Sequence, residues 1–173
     1  GLMGLRDLRA ELSQRDVIDQ GPLLQQLSHD QFSFSPSLVP RLQPCCADLV
    51  VRVSSTAEVV QVAGACARHG VPLTPRGSGT GNYGQCVPLQ GGVVLDTSAM
   101  SAVRHLDPVA GVLTAEPGCR LLELDRQLRP QGWALRLAPS TWRTASLGGF
   151  IAGGSSGVGS LRWGLLRDPG NLL

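Results

Sequence analysis

The sequence predicts an α+β protein in which a strand–helix–strand unit is followed by an antiparallel hairpin. Residues 49–53 (LVVRV) have the length and β-branching of a strand, and residues 71–75 can form a second strand after an intervening helix. Residues 103–107 and 112–116 alternate in polarity around the turn sequence DPVAG, which is typical of a hairpin. Parallel and antiparallel features in one chain define this fold class.

The helix between the first two strands is predicted from its cap and its apolar face. Ser55 places a hydroxyl at the N-cap position and Glu58 follows three residues later, which is the pattern of a capping box. Gly70 ends the helix. Apolar residues at helical spacing form a stripe that packs against a sheet: Val59, Val62, Ala63 and Cys66.

One strand and two helices are predicted further along the chain. Residues 92–96 (GVVLD) form a strand. Leucines at helical spacing indicate a helix that stops at Pro130, namely Leu121, Leu124 and Leu128. The Gly/Ser-rich tail has the same spacing at Leu147, Phe150 and Ile151.

Residues 1–42 are predicted to be a helical lead-in followed by an extended connector. The helix is indicated by an amphipathic pattern at Leu2, Leu5, Leu8 and Leu12. The connector is polar and contains several prolines, of which Pro36 and Pro40 are two.

The composition narrows the class of protein. The 173 residues fit one domain or two small lobes, and 42% hydrophobic residues is ordinary for a globular chain. All fifteen basic residues are Arg, the net charge is +2 and no basic run occurs, so no nucleic-acid partner is expected. The lack of Lys excludes a P-loop. No apolar run approaches the roughly 20 residues of a transmembrane segment.

The five cysteines contain no CxxC pair, so neither a zinc ribbon nor an iron–sulfur site is expected, and no metal is predicted. They are interpreted as reduced, mostly buried thiols. No secretory leader pattern opens the chain, which favours the cytoplasm. The first residue is Gly1, and the ending at Leu172 and Leu173 resembles the start of a further segment, so we expect a fragment truncated at its C-terminus.

A glycine-rich loop follows the second predicted strand. Gly77, Gly79 and Gly81 lack side chains that would block approach, so consecutive N–H groups can turn toward an anion such as a pyrophosphate. A tight turn that is merely rich in glycine is the alternative. A Rossmann fingerprint is excluded, because Asn82 stands at the third glycine position and the glycines and prolines that follow prevent a helix from starting there.

A second candidate anion site lies in the tail. Thr144 or Ser146 can cap a helix whose first amides, beside Gly148 and Gly149, are expected to be free to bind a phosphate. Residues 139–141 (PST) precede this helix start and complete the candidate site.

The string GGSSG at residues 153–157 also matches the nucleophile elbow of serine hydrolases, with Ser155 as the nucleophile. In those enzymes the catalytic His follows the Ser, whereas His29, His69 and His105 all precede it. A serine hydrolase therefore stays as a minor alternative.

Four ordered motifs together resemble a known family. They are PRGSGTG at 75–81, GGVVLD at 91–96, EPG at 116–118 and TASLGG at 144–149. From about Pro44 onward the chain is similar to the PCMH-type FAD-binding domain of the vanillyl-alcohol-oxidase flavoproteins, and most similar to the glycolate oxidase and D-lactate dehydrogenase branch. The resemblance implies a FAD-binding domain over residues 43–173. Its first lobe is a βαβ unit to about residue 100, its second is mostly antiparallel, and the dinucleotide lies between them.

The resemblance also implies which residues bind the cofactor. The loop amides hold the pyrophosphate, bordered by an arginine and an asparagine, and tail residues line the other side and the flavin. The residues implied are Arg76, Gly77, Ser78, Gly79, Thr80, Gly81, Asn82, Pro139, Ser140, Thr144, Ser146, Leu147, Gly148, Gly149, Ala152, Gly153 and Ser156.

The resemblance further implies an enzyme in which hydride passes from the α-carbon of a small 2-hydroxy acid to flavin N5 and an outside acceptor reoxidises the flavin. Covalent members carry a His in or beside the first loop. Here Thr80 and Asn82 occupy that region, so non-covalent FAD is expected, with Cys86 close enough to leave covalent attachment open. No catalytic residue is assigned. A FAD-binding electron-transfer subunit with no substrate site of its own is the alternative.

Overall fold

The computed structural model describes residues 2–169 and 171, apart from the side chain of Leu2. The chain divides into two compact units, Gly1–Ala99 and Met100–Leu173. The predicted continuation at Leu172 and Leu173 lies outside the described residues. Within the described part, no helix is both long and apolar enough to cross a membrane.

The first unit contains a four-stranded sheet with strand order β1-β2-β4-β3. Its strands are β1 (Asp16–Ile18), β2 (Leu49–Arg52), β3 (Leu73–Arg76) and β4 (Val93–Asp96). Strand β4 is parallel to both β2 and β3, and β1 is antiparallel to β2. The strands predicted at 49–53 and 92–96 are confirmed, and the one predicted at 71–75 begins two residues later and ends at Arg76.

The two central strands have the continuous apolar sequence of a buried parallel sheet. Three residues of β2 and three of β4 are at most 5% exposed, as expected for strands covered on both faces: Leu49, Val50, Val51, Val93, Val94 and Leu95. At the carboxyl ends of the three parallel strands, Arg52, Asp96 and Arg76 lie in one register row. Charged residues therefore begin where the apolar part of the sheet ends.

Helix α4 (Thr56–His69) connects β2 to β3, as the sequence predicts. The Ser55 hydroxyl accepts a hydrogen bond from the Glu58 N–H at 3.2 Å, and the Glu58 carboxylate accepts one from the Ser54 N–H at 2.8 Å. The predicted capping box is thus confirmed, except that the Glu58 carboxylate binds the N–H of Ser54, one residue before the N-cap residue that it binds in the usual pattern. Gly70 closes the helix in the left-handed conformation, with φ of +63°.

The predicted N-terminal helix is confirmed as α1 (Leu2–Glu11). Leu8 and Leu12 are buried, and the helix packs on the C-terminal end of α4. A Cβ built on Gly4 would be 2.3 Å from the carbonyl oxygen of His69, so the two helices approach closely at this point. The Glu11 carboxylate pairs with His69 and Arg68 of α4.

The predicted extended connector is wrong. Between α1 and β2 the chain forms β1, α2 (Pro22–Ser28), a 3₁₀ turn (Phe32–Phe34) and α3 (Val39–Leu42). The prolines allow this because Pro22 and Pro40 occupy the first turns of their helices, where a missing N–H group costs no intrahelical hydrogen bond. The lead-in residues consequently form part of the first unit.

The second unit opens with the predicted hairpin, which is confirmed as β5 (Val103–Asp107) and β6 (Val112–Ala115). The Asp107 carboxylate accepts hydrogen bonds from the Ala110 and Val109 N–H groups at 3.0 and 2.9 Å. These bonds favour the ionised form and lower the pKa of Asp107. Gly111 completes the turn with φ of +68°.

In the described residues, three α-helices follow the hairpin: α5 (Leu121–Leu128), α6 (Leu147–Ala152) and α7 (Ser160–Trp163). Both helices predicted from apolar spacing, α5 and α6, are confirmed, and Pro130 lies in the 3₁₀ turn that ends α5. The core of the unit contains buried residues from α5, α6 and the segments around them, among them Leu121, Leu124, Leu137, Phe150 and Leu166.

Candidate cofactor-binding site

The glycine-rich loop leaves the sheet at the carboxyl end of β3. Residues 77–81 are half-buried, and Gly79 has φ of +66°, a conformation that only glycine adopts without strain. No helix follows the loop before β4, as the sequence predicts. In sheets of parallel strands, ligands bind outside these carboxyl ends.

The backbone N–H groups of the loop lack partners in their own unit. Among the described residues of the first unit, no acceptor receives a hydrogen bond from the N–H groups of residues 77–82. Residues 77–81 are half-buried and Asn82 is exposed, so these six N–H groups are left for solvent or a ligand to satisfy. Such a set suits an anion with several oxygen atoms.

Arg76 adds a buried positive charge at the start of the loop. The residue is 8% exposed, and its Nη1 atom donates hydrogen bonds to the His29 carbonyl oxygen at 2.7 Å and to the Cys86 sulfur at 3.6 Å. No carboxylate forms an ion pair with it in the described part of the chain. A buried cation without a carboxylate partner favours a bound anion nearby.

Cys86 is the cysteine nearest to this loop in the sequence. Burial raises the pKa of its thiol, and the neighbouring Arg76 only partly opposes this effect. Because the thiolate is the nucleophilic form of cysteine, a raised pKa disfavours nucleophilic reaction at Cys86.

Asp96 is engaged in structural contacts. It is 2% exposed, forms an ion pair with Arg52 at 3.4 Å and accepts a hydrogen bond from the Ser98 N–H at 2.9 Å. With no helix after the glycine loop and no free acidic residue at β4, the exclusion of a Rossmann site is confirmed.

The second predicted anion site lies at the start of α6, and its amides are not free as expected. The cap is Ser146, whose hydroxyl accepts a hydrogen bond from the Gly149 N–H at 3.3 Å. The Leu147 N–H donates to the Cys119 carbonyl oxygen and the Gly148 N–H donates to the Pro117 carbonyl oxygen, each at 2.8 Å. All three amides that were expected to face a phosphate already have acceptors, so the expectation of free amides is wrong. A cofactor contact by these residues would have to use other atoms and stays a prediction.

The remaining tail residues of the predicted site lie on either side of α6. Thr144 does not cap the helix, because its hydroxyl donates to the Thr141 carbonyl oxygen at 3.2 Å. Pro139 and Ser140 follow Ala138, which forms an antiparallel bridge with Val158. Ala152 is the last residue of α6, Gly153 and Ser156 follow the helix, and all three are exposed.

The nucleophile elbow is not formed. Ser155 comes after α6 and not between a strand and a helix. The elbow also holds its serine in a strained turn, whereas no non-glycine residue in the described part has positive φ. The serine hydrolase alternative therefore loses its structural basis.

A surface cavity of about 220 Å³ occurs in the second unit, lined mainly by apolar side chains and by the ion pair of Asp125 with Arg129. Trp142 contributes to its wall, but none of the predicted cofactor-binding residues does. The donors suited to a pyrophosphate are in the loop of the first unit, so we place the candidate site there.

Sequence reasoning missed the part of the lead-in that contacts this loop. His29, Asp30 and Gln31 each hydrogen-bond to residues of the loop or its flanks. These contacts join residues about fifty positions apart, and no local pattern in the sequence indicates them.

Three parallel strands, followed by a glycine loop that presents unpaired amides beside a buried arginine, define a class of domain suited to a pyrophosphate-bearing nucleotide. The family comparison agrees with this class: the chain belongs to the family described as FAD binding domain, whose model matches residues 47–169.

Two relatives illustrate the family. The glycolate oxidase subunit GlcD of Bacillus subtilis is 32% identical over 121 residues, which cover 70% of this chain and 26% of the relative. The mitochondrial D-2-hydroxyglutarate dehydrogenase of Rattus norvegicus is 30% identical over 122 residues, covering 70% of this chain and 23% of the relative. The chain thus spans about a quarter of the length of these relatives.

Solved structures show the same fold. An alkyldihydroxyacetonephosphate synthase matches 97% of this chain and 35% of its own with a TM-score of 0.80 and 25% identity. A p-cresol methylhydroxylase matches 87% of this chain and 28% of its own with a TM-score of 0.68 at 21% identity. One fold therefore occurs in proteins named for different reactions, and the fold alone does not select a reaction.

Proposed function

We propose that this chain binds FAD non-covalently and that the N–H groups of residues 77–82 hold its pyrophosphate beside the Arg76 guanidinium. The observation that carries this proposal is the run of unpaired amides next to a buried cation. Two phosphate groups offer several acceptor oxygens for these N–H groups and a negative charge for the Arg76 guanidinium. The residues present therefore fit the cofactor of the family.

The contribution of this chain is to bind and orient. Gly79 and its neighbours present donors at fixed positions, and the buried charge of Arg76 favours the anionic part of the ligand. Bound FAD would supply hydride-accepting chemistry at its flavin N5 atom. No residue of this chain is assigned a catalytic role.

We propose that the gene product carrying this chain is an oxidoreductase that acts on a small 2-hydroxy acid. Support comes from the relatives, which are named as a glycolate oxidase subunit and a D-2-hydroxyglutarate dehydrogenase. The name of the first relative also supports a partner subunit, and an outside electron acceptor completes the proposed reaction. The cytoplasmic location and an electron-transfer role without a substrate site both stay predictions.

The test of this function is reduction of the flavin by candidate substrates. The gene product would be purified with its flavin and mixed under anaerobic conditions with glycolate, D-lactate or D-2-hydroxyglutarate while the flavin absorption is recorded. Bleaching by one of these acids, and not by its L-isomer where one exists, supports the proposal. A bound flavin that none of them bleaches contradicts the substrate class and favours the electron-transfer role.

A further inference from the structure

Both ends of the glycine loop form hydrogen bonds with one short segment of the lead-in. At the start, Arg76 donates to the His29 carbonyl oxygen at 2.7 Å. At the far end, the Gln31 N–H donates to the Gly81 carbonyl oxygen at 2.8 Å, and the Gly84 N–H donates to the Asp30 carboxylate at 2.8 Å. Residues 29–31 thus contact both ends of a loop that follows them by about fifty positions.

One of these bonds, from the Gln31 N–H to the Gly81 carbonyl oxygen, determines which way the last amide of the loop faces. In a planar trans peptide the C=O of one residue and the N–H of the next point in opposite directions. Because the Gly81 carbonyl oxygen points to Gln31, the Asn82 N–H points away from the lead-in. The lead-in therefore occupies the Gly81 carbonyl oxygen, and the Asn82 N–H group stays available to a ligand.

The Asp30 carboxylate is itself held in place. Its Oδ1 atom accepts a hydrogen bond from the Phe32 N–H at 2.9 Å, and its Oδ2 atom accepts the one from Gly84. The Oδ2 atom would also lie 3.2 Å from a Cβ built on Gly81, so the carboxylate lies directly beside the loop. No cation forms an ion pair with Asp30 in the described residues, so these two amides are its main partners.

We propose that Asp30 is a positioning residue of the FAD site, which fixes the far end of the loop through Gly84 and keeps its amides facing the pyrophosphate. Asp30 itself does not contact the cofactor. This inference rests on the proposed FAD binding. It also assigns a role in the site to a segment that precedes the matched family region, residues 47–169.

The test compares Asp30→Ala with Asp19→Ala in the 173-residue chain. Asp19 lies in the same lead-in, but its partner is Arg9 and it has no bond to the loop. Titration with FAD gives both the dissociation constant and the number of binding sites per chain. Loss of a hydrogen bond to a charged group is expected to raise the FAD dissociation constant of Asp30→Ala by about tenfold or more. Asp19→Ala is expected to keep the wild-type value.

A second variant separates positioning from general stability. Asp30→Asn keeps one acceptor oxygen for two N–H donors, so its affinity is expected to lie between those of Asp30→Ala and the wild type. A purely structural role would lower the number of sites and leave the dissociation constant of the remaining sites unchanged, which would overturn the inference. Equal dissociation constants in all four proteins would overturn it too and leave the proposed function standing. A folded wild-type chain that binds no FAD would instead remove the proposed function itself.

Discussion

The guanidinium group of Arg76 lies against the backbone of Gly79. A Cβ built on Gly79 would be 2.1 Å from Nη2 and 2.5 Å from Cζ of Arg76, far inside van der Waals contact. Gly79 also has φ of +66°. Two independent constraints therefore require glycine here, and they place the positive charge next to the unpaired amides.

Gly79→Ala is expected to weaken FAD binding strongly. The added methyl group either displaces Arg76 or opens the loop, and both changes move the donors, so we expect the FAD dissociation constant to rise by about tenfold or more. Flavin fluorescence during a FAD titration measures it.

Gly64→Ala is the matched control for that variant. Gly64 lies inside α4, where a Cβ would meet only the Nη1 atom of the exposed Arg68 side chain, at 3.2 Å. Alanine there should raise the free energy of unfolding by about 0.5–1 kcal/mol and leave FAD affinity unchanged. If the Gly79 variant bound FAD as tightly as the Gly64 variant, the loop would not be the binding element.

Arg76→Gln is expected to weaken FAD binding by about 10- to 100-fold, because it removes a charged donor beside the phosphates. The affinity should also depend less on salt than that of the wild type. Arg41→Gln is the control, since Arg41 is an exposed residue of α3. Titrations at low and high salt measure both effects. Wild-type affinity and salt dependence in the Arg76 variant would show that its charge does not act on the ligand.

Glu11 is expected to make the attachment of α1 to α4 depend on pH. Hydrogen bonds from His69, and next from Arg68, hold the pKa of Glu11 below its ordinary value. A carboxylate whose pKa is lowered on folding stabilises the folded state at pH values above its pKa in the unfolded chain. This contribution is lost as the pH falls through the pKa in the folded state.

Glu11→Gln should therefore lower the melting temperature at neutral pH, and the difference from the wild type should shrink as the pH falls below the ordinary pKa of a glutamate. Melting curves across this range measure the effect. Glu123→Gln is the control, because Glu123 pairs with Arg126 on the exposed surface of α5. A Glu11 difference that stays constant with pH would contradict the ion-pair explanation.

Acid precipitation of the flavin-loaded chain is expected to release all of the flavin into the supernatant. The loop carries Thr80 and Asn82 where covalent members of the family carry a His, and burial raises the pKa of the Cys86 thiol. Absorption of the supernatant and pellet measures the release. Flavin that stays on the wild-type pellet but not on that of Cys86→Ser would show attachment at this cysteine.

The sequence predicts those parts of the fold that depend on neighbouring residues. The apolar runs of β2 and β4, the cap at Ser55 and the turn at Asp107 each act over a few positions, so their patterns are visible in the sequence. The sequence also predicts the glycine loop, because Gly77, Gly79 and Gly81 lie within five consecutive residues.

The sequence did not predict features that depend on distant partners. The amides at the start of α6 are occupied by the carbonyl oxygens of Pro117 and Cys119, some thirty positions earlier. The contacts of Asp30 and Gln31 with the glycine loop span an even longer separation. Local patterns identify which groups can bind an anion, but only the tertiary structure shows which of them are still free.

The most direct test of the central claim is a FAD titration of the purified 173-residue chain, with folding checked by circular dichroism. The account predicts saturable binding of one FAD per chain, weakened by ADP as a competing pyrophosphate ligand and by Gly79→Ala. A folded chain whose titration shows no binding, or whose FAD affinity is unaffected by both ADP and Gly79→Ala, would contradict the claim that the amides of residues 77–82 hold the cofactor.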